Sequence, residues 1–277
     1  MKKIAIIIYV LLCVVVFVSC TEDRNIEPRQ LLVDRYYPIE SGMERLFKVD
    51  SITYDFNGEV GEIVIDTTQL FLKQIIKEES SINGIDWYVI EELTADSEES
   101  EYEFKRLVLE RKNEGRLQKK EGNLTFIPLS SSLELYDEWQ GTALFDKSAV
   151  EIFVEGEIIK PYENWNYILV EDNGTLEVEG TVYNEVIQIN QHDTSTLESM
   201  DMNGNPLLFP PEKQLFYELA NEWYAPDKGL VMKEEYNLTS ICASSSVNEF
   251  QMFCDTTTIF QNAERGYIYR QKLISIE

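Results

Sequence analysis

The sequence has a single histidine, His192, and only four cysteines among its 277 residues. It also lacks the Gly-x-Ser-x-Gly, His-Glu-x-x-His, phosphate-loop and Cys-x-x-Cys patterns that mark common hydrolases, zinc proteases, nucleotide-binding proteins and redox proteins. A dyad of His192 and Asp193 with Ser195 is disfavoured, because neighbouring side chains on an extended chain point to opposite faces. We therefore predict an exposed loop histidine, no catalytic residue, no enzymatic activity and no cofactor.

Basic residues are scarce as well. Lysine and arginine number 24 against 50 aspartates and glutamates, which gives a formal net charge of −26. An acidic chain of this kind repels phosphate backbones, so nucleic acid is excluded as a partner. The apolar content of 44% excludes a wholly disordered chain, because it is enough to build a core.

The N-terminus carries the longest apolar run. Two lysines precede an unbroken apolar stretch, residues 4–18, and Ser19 and Cys20 follow it. This order of a positive start, an apolar middle and a small residue before the cut predicts a secretory signal. The stretch is shorter than the ~20 residues that a membrane-spanning helix needs. Loss of residues 1–19 removes two lysines and no acid, so the net charge changes from −26 to −28.

The residues Phe17-Val18-Ser19-Cys20 resemble the lipobox of bacterial lipoproteins. The resemblance implies that Cys20 is acylated on sulfur and becomes the first mature residue. Each buried acyl CH₂ contributes about 0.8 kcal/mol, so two or three chains anchor a protein firmly. The acids Glu22 and Asp23 resemble the surface-export signal of Bacteroidota lipoproteins, which implies the outer membrane or cell surface. The alternative is an ordinary cleaved signal that happens to end in cysteine.

Two cysteines remain after Cys20 and Cys13, which lies within the signal, are set aside. In an exported protein, the remaining pair Cys242 and Cys254 predicts a disulfide that closes a short loop. Such a bond stabilises by about 3 kcal/mol on the chain-entropy model. Free thiols or metal ligands are the alternative, although a single histidine leaves few partners for a metal.

The remaining chain divides by composition. We predict a signal peptide at 1–19, a tether at 20–35 and a β-rich domain at 36–277, with a candidate subdivision near 130–160. Residues 223–231, Trp-Tyr-Ala-Pro-Asp-Lys-Gly-Leu-Val, resemble a YAxxxGLV hairpin of secreted β-rich lipoproteins. The resemblance implies two long antiparallel strands there, although helical spacing in residues 215–223 leaves a helix as the alternative.

Hairpin signals dominate the rest of the sequence and set the expected fold. The dipeptide Asn-Gly suits both positive-φ positions of a type I′ turn, and it occurs at Asn57-Gly58, Asn83-Gly84, Asn173-Gly174 and Asn203-Gly204. We predict a mainly β protein: a large antiparallel meander that curls into a half-barrel or stacks as a β-sandwich, with little helix. On the last strand, alternation places Tyr267, Tyr269 and Gln271 on one face.

Two further patterns have competing interpretations. Asp201, Asn203 and Asn205 are weak metal candidates because they resemble the start of a calcium loop, but Pro206 replaces its glycine and the distal glutamate is missing, so we expect a turn and no metal. The tryptophans suit either a sugar-stacking platform or the core, and their apolar neighbours favour the core; they are Trp87, Trp139, Trp165 and Trp223.

Three functional hypotheses follow. The first is a lipid-anchored, extracytoplasmic binding or structural protein without catalysis, whose partners are the membrane and a glycan, an apolar ligand or a neighbouring surface protein. The second is a carrier of an acyl chain or other apolar ligand in a half-barrel cavity. The third is a polysaccharide hydrolase with two close, buried carboxylates in a groove. The carrier predicts a cavity lined by Leu107, Leu109, Val178 and Leu230.

Overall fold

The structure is a computed structural model that describes residues 32–57, 62–131, 134–154, 157–194, 198–200, 206–208, 216–239 and 259–277. These residues belong to one compact unit, Leu31–Glu277. Several predicted features lie outside the described residues: the signal peptide, Cys20, Cys242, Cys254, Asp201, Asn203 and Asn205.

Strands make up most of the described chain, as predicted. The long strands are β1 (Glu44–Asn57), β2 (Glu62–Ile82), β3 (Ile85–Ala95), β4 (Glu103–Asn113), β5 (Arg116–Glu121), β6 (Leu124–Ser130), β10 (Tyr167–Val178), β11 (Thr181–Asp193), β14 (Phe216–Ala225), β15 (Gly229–Thr239) and β16 (Arg265–Ile276). Shorter strands are β7 (Glu138–Trp139), β8 (Ile152–Val154), β9 (Glu157–Ile159), β12 (Glu198–Met200) and β13 (Pro206–Leu208). The α-helices in the described residues are α1 (Leu32–Tyr36) and α2 (Ile259–Asn262).

Twelve of these strands form one antiparallel sheet in the order β6-β5-β4-β3-β2-β1-β16-β15-β14-β11-β10-β7. The first six strands follow each other as a meander, and β16 returns to pair with β1 along Arg45 to Tyr54. The predicted antiparallel meander is therefore confirmed, and its form is a single curled sheet.

The two edges of this sheet approach each other without forming a continuous ladder. The backbone N–H of Ile127 on β6 donates to the Gly141 carbonyl at 2.7 Å, just beyond β7. The indole N–H of Trp139 donates to the Ile127 carbonyl at 2.8 Å. A side chain at Gly141 would have no room, because its Cβ would lie 2.3 Å from the Tyr167 ring. These contacts join the edges and enclose an interior.

The turns confirm some of the predicted hairpins and correct one. Asn83 and Gly84 have φ values of 55° and 75° and join β2 to β3. Asn173-Gly174 is not a turn: it lies inside β10, where the register with β11 shifts. The β10–β11 turn is instead Glu179-Gly180, with φ values of 46° and 81°. The turn needs two positive-φ positions, of which Gly180 takes one without steric cost, whereas Glu179 takes the other at a cost in strain.

The structure also decides the secondary structure of three further segments. Residues 216–225 form strand β14, so the helical alternative there is wrong and the predicted hairpin with β15 is confirmed. The segment after Asp193 contains the strand pair β12 and β13. His192, expected in an exposed loop, lies on β11 with a 13% exposed side chain.

The described residues begin at Leu32, with helix α1. Helix α1 and the residues after it pack against the core, with Val33 1% and Tyr37 5% exposed. The buried Arg45 guanidinium donates to the Tyr37 hydroxyl at 3.0 Å, and its ion pair with buried Glu110 spans 3.8 Å. The N-terminal segment is thereby fixed to β1 and β4.

Apolar side chains fill the interior only in part. One cluster of buried residues, including Ile76, Ile90, Leu117 and Ile189, surrounds the N-terminal segment. A second cluster centres on Phe47 and Val231, and a third packs against α2. Among the described residues, no helix has the length and apolar composition needed to span a bilayer.

Candidate ligand-binding cavity

A cavity of about 430 Å³ lies inside the curled sheet. Its lining comes from strands along the whole sheet, from Ser51 on β1 to Tyr269 on β16. The volume falls in the range of small-molecule sites, about 300–1,000 Å³. Four basic and four acidic residues belong to the lining: Lys105, Arg106, Lys119, Lys233, Glu92, Glu121, Glu222 and Glu235.

Arg106 joins two of the carboxylates. Its Nε donates to Glu92 at 2.6 Å and its Nη1 donates to Glu121 at 2.7 Å. Gln74 donates from its amide to the other oxygen of Glu92 at 2.8 Å. Burial raises the pKa of Glu92, but the charges of Lys119 and Arg106 outweigh burial and bring the pKa below its usual range. These contacts fix the position of the Glu92 carboxylate and keep it charged.

Two lysines complete the charged lining. Lys119 contacts Glu121 at 2.8 Å, and Lys233 contacts Glu235 at 2.7 Å and Glu222 at 3.6 Å. Burial lowers the pKa of Lys233, but the carboxylates of Glu235 and Glu222 outweigh burial and raise the pKa well above its usual value. The pKa of Lys119 is raised in the same way, against burial, by Glu121 and Glu92. Both lysines are therefore cations at neutral pH.

Aromatic rings form another part of the wall. Tyr162 and Trp165 meet edge to face with centroids 5.0 Å apart, and Trp165 lies 6.1 Å from Tyr167. The turn that carries them is fixed, because the Lys147 ammonium donates to the Trp165 carbonyl at 3.0 Å and the Asn166 N–H donates to the Gln191 carbonyl at 2.9 Å. The rings are thus held in place before any ligand arrives.

A smaller pocket of about 110 Å³ adjoins this cavity. His192 Nε2 lies 2.7 Å from a carboxylate oxygen of Glu218, and the Asn237 amide donates to the other oxygen at 3.3 Å. Tyr162, Trp165, Glu235 and Tyr267 line both the cavity and this pocket. The two spaces therefore share a wall.

The structure brings together only some of the residues that the sequence singled out. Tyr267, Tyr269 and Gln271 line the cavity, as their shared face allows. Of the tryptophans, Trp165 lines it, whereas Trp87 is buried with Arg111 over its ring and Trp223 packs in the cluster of Phe47. Trp139 lies beside Tyr167 at the sheet edge.

The apolar lining predicted for a carrier is mostly absent from this cavity. Leu230 lines it, but Leu107 has 52% of its surface exposed and Val178 is 2% exposed in the packed protein. Leu109 is half-buried and is not among the lining residues. Within the described part of the chain, no three histidine, cysteine or acidic residues are arranged to hold a metal ion.

The charged residues of the cavity were missed in the sequence analysis. Their signal is the spacing of opposite charges two positions apart, Lys119 with Glu121 and Lys233 with Glu235. That spacing puts both members on one face of a strand. In a chain with an excess of acids, such pairs indicate a strand face that carries both charges.

These features define a curled antiparallel sheet around a polar, aromatic-lined cavity. No protein-family model matches the chain, and no curated protein matches its sequence. Among solved structures, the chain is similar to a candidate exported protein of Bacteroides fragilis with a YmcC-like fold. The two are 10% identical over 88% of this chain and 99% of the other, with a TM-score of 0.39. No activity, ligand or location is inferred from a similarity of this size.

Proposed function

We propose that this protein is an exported lipoprotein, anchored through Cys20, that binds a neutral polyhydroxylated ligand such as a glycan in the cavity of its curled sheet. The binding is proposed to be non-catalytic. The observation that carries the proposal is the lining itself: paired charges and aromatic rings surround about 430 Å³ where a small β domain would otherwise place apolar side chains.

The stability of the fold does not explain why charged pairs line the cavity. Replacing a buried ion pair by apolar residues of similar volume is often neutral or stabilising by 1–4 kcal/mol, since desolvation offsets the attraction. The Arg106–Glu92 contact has one partner that is 1% exposed as a residue, so its desolvation is substantial. Retention of such groups around an open space favours a role in ligand binding.

The charge balance favours a neutral ligand. Three of the four lining cations, Arg106, Lys119 and Lys233, already contact at least one carboxylate, so their charge is largely offset. The fourth, Lys105, is an exposed residue at the edge of the lining. The net charge of −26 on the whole chain also repels anions. An acyl chain would meet charged groups that it cannot hydrogen-bond. Hydroxyl groups both donate and accept, and aromatic rings such as Trp165 can pack against the apolar face of a sugar.

The same contacts argue against a glycosidase acid at two of the four lining carboxyls, Glu92 and Glu121. Such an enzyme needs one carboxyl that keeps its proton near neutral pH so that it can protonate the leaving oxygen. Burial raises the pKa of Glu121, but Lys119 and Arg106 outweigh burial and bring the pKa far below its usual value. Glu92 is shifted in the same direction. Neither carboxyl is suited to act as the acid.

The anchor part of the proposal is supported by the N-terminal sequence. Residues 17–20 resemble a lipobox, and the described residues start at Leu32. About 11 residues separate the two, which reach at most roughly 40 Å when fully extended. A tether of that length holds the domain close to the bilayer surface.

A glycan array tests the proposed ligand class. The full-length protein, purified in detergent, is applied to an array of neutral and anionic mono- to hexasaccharides, and a fluorescent fatty acid is titrated in parallel. We expect binding to one or more neutral glycans and none of the fatty acid to the cavity. Binding of the fatty acid that Trp165→Ala abolishes, or a preference for anionic glycans, would contradict the proposal.

A further inference from the structure

The smaller pocket is too small to serve as a site by itself. Its volume is about 110 Å³, well below the several hundred Å³ of typical small-molecule sites. It is not isolated, however, because four residues line both this pocket and the main cavity. They are Tyr162, Trp165, Glu235 and Tyr267. The two spaces therefore suit neighbouring parts of one ligand.

We infer that the cavity and the smaller pocket are consecutive subsites of one groove, and that the ligand is a neutral oligosaccharide of at least two sugar units; this inference rests on the function proposed above. The main cavity takes one unit against the paired charges. The smaller pocket takes the next unit. Trp165, Tyr162 and Tyr267 lie at the junction, where successive sugar rings would pass.

The polar groups of the smaller pocket are arranged before binding. The two oxygens of Glu218 are occupied by different partners, His192 at 2.7 Å and Asn237 at 3.3 Å. The backbone of Glu218 is also fixed, because its N–H donates to the Thr194 hydroxyl at 2.8 Å and the Thr194 N–H donates to its carbonyl at 2.9 Å. A group held in this way loses little freedom on binding.

Glu218 nevertheless stays accessible to a ligand. Its side chain is 38% exposed, whereas that of His192 is 13% exposed. The carboxylate can therefore accept a hydrogen bond from a sugar hydroxyl, while His192 holds it in position. His192 is thus a positioning residue, and Glu218 is the residue that contacts the second sugar unit.

The test compares an oligosaccharide with its own monosaccharide. A neutral oligosaccharide that binds on the array and the corresponding monosaccharide are each titrated calorimetrically into the full-length wild-type protein. The same titrations follow for Glu218→Ala and His192→Ala, and for Glu177→Ala as a control at an exposed position outside both pockets. Thermal melting of each variant verifies that it is folded.

We expect the wild-type protein to bind the oligosaccharide at least about tenfold more tightly than the monosaccharide. Glu218→Ala is expected to weaken oligosaccharide binding by about tenfold and monosaccharide binding by less than about twofold, as for one charged hydrogen bond. His192→Ala acts in the same direction, and Glu177→Ala changes neither affinity.

The outcomes separate this inference from the function on which it rests. If the array shows no neutral glycan at all, glycan binding itself is wrong, and the tandem subsites are wrong with it. If a neutral glycan binds but the monosaccharide binds as tightly as the oligosaccharide, only the tandem subsites are wrong. The same holds if Glu218→Ala weakens both ligands equally.

Discussion

The Tyr37 hydroxyl lies 2.8 Å from both carboxylate oxygens of Glu110, and the two side chains are 5% and 0% exposed as residues. Tyr37→Phe removes the hydroxyl that donates to Glu110, so the buried Glu110 carboxylate loses a hydrogen bond. We expect a loss of about 2 kcal/mol in the free energy of unfolding, measured by urea denaturation. Tyr136→Phe is the matched control, because Tyr136 is 70% exposed, and its effect should be within about 0.5 kcal/mol. Equal effects of the two substitutions would contradict the role given to this contact.

The seam between the sheet edges gives a second prediction. In Gly141→Ala the new Cβ would lie 2.3 Å from the Tyr167 ring, which is packed in the core. Overpacking of this kind costs about 1–3 kcal/mol, which a urea or thermal melt will detect. In Gly174→Ala the nearest atoms, at 2.4 Å, belong to the end of the exposed Glu171 side chain, which can move. That control should cost distinctly less, and a reversed order would mean that the edges are not packed as described.

The carboxylates of the cavity make stability depend on pH. The pKa of Glu121 is lower in the folded protein than its usual value, because Lys119 and Arg106 outweigh burial. Between about pH 5 and pH 3 the unfolded chain, whose glutamates have a pKa of about 4.3, takes up the proton first, so stability falls as the pH falls. Glu121→Gln removes this contribution.

Urea midpoints at pH 5 and pH 3 provide the measurement. We expect a smaller loss of stability between the two pH values for Glu121→Gln than for the wild-type protein. Glu177→Gln, at an exposed position outside the cavity, is the control. An unchanged pH dependence in Glu121→Gln would show that the charges in the cavity are not coupled as their distances indicate.

The anchor is tested at the N-terminus. Mass spectrometry of the N-terminal peptide, from protein purified out of native membranes, should show a chain that begins at Cys20 and carries acyl groups. Cys20→Ser should remove the acyl groups and release the protein from the membrane fraction. An intact Met1 peptide, or Cys20 without acyl groups, would rule out the lipoprotein assignment.

Much of the fold could be predicted from short-range patterns, and the exceptions have physical reasons. Asn83-Gly84 forms the predicted turn, whereas Asn173-Gly174 is absorbed into β10 and the chain turns at Glu179-Gly180. The dipeptide alone could not separate these cases, because a bulge and a turn both use such residues. Strand β14 was preferred over a helix on a hairpin resemblance, and the structure confirms it.

The cavity was harder to predict because its residues are distant in the sequence. Alternation groups Tyr267 with Tyr269, or Lys233 with Glu235, on one face of a strand. It does not say which face points inward, nor that β5 and β15 both contribute to the same space. Those facts depend on the sheet order and on the contact between its edges. His192 was expected in a loop because residues 190–193 are all polar, and its partner Glu218 lies on another strand.

The most direct test of the account compares two tryptophans in one titration experiment. A neutral glycan identified on the array is titrated calorimetrically into the full-length protein, its Trp165→Ala variant and its Trp223→Ala variant. Trp165 lines the cavity, whereas Trp223 packs in a separate cluster. We expect Trp165→Ala to weaken binding by at least about tenfold and Trp223→Ala, once shown to be folded, to leave the affinity unchanged. Equal affinities for the wild-type protein and Trp165→Ala would contradict the claim that the cavity is the binding site.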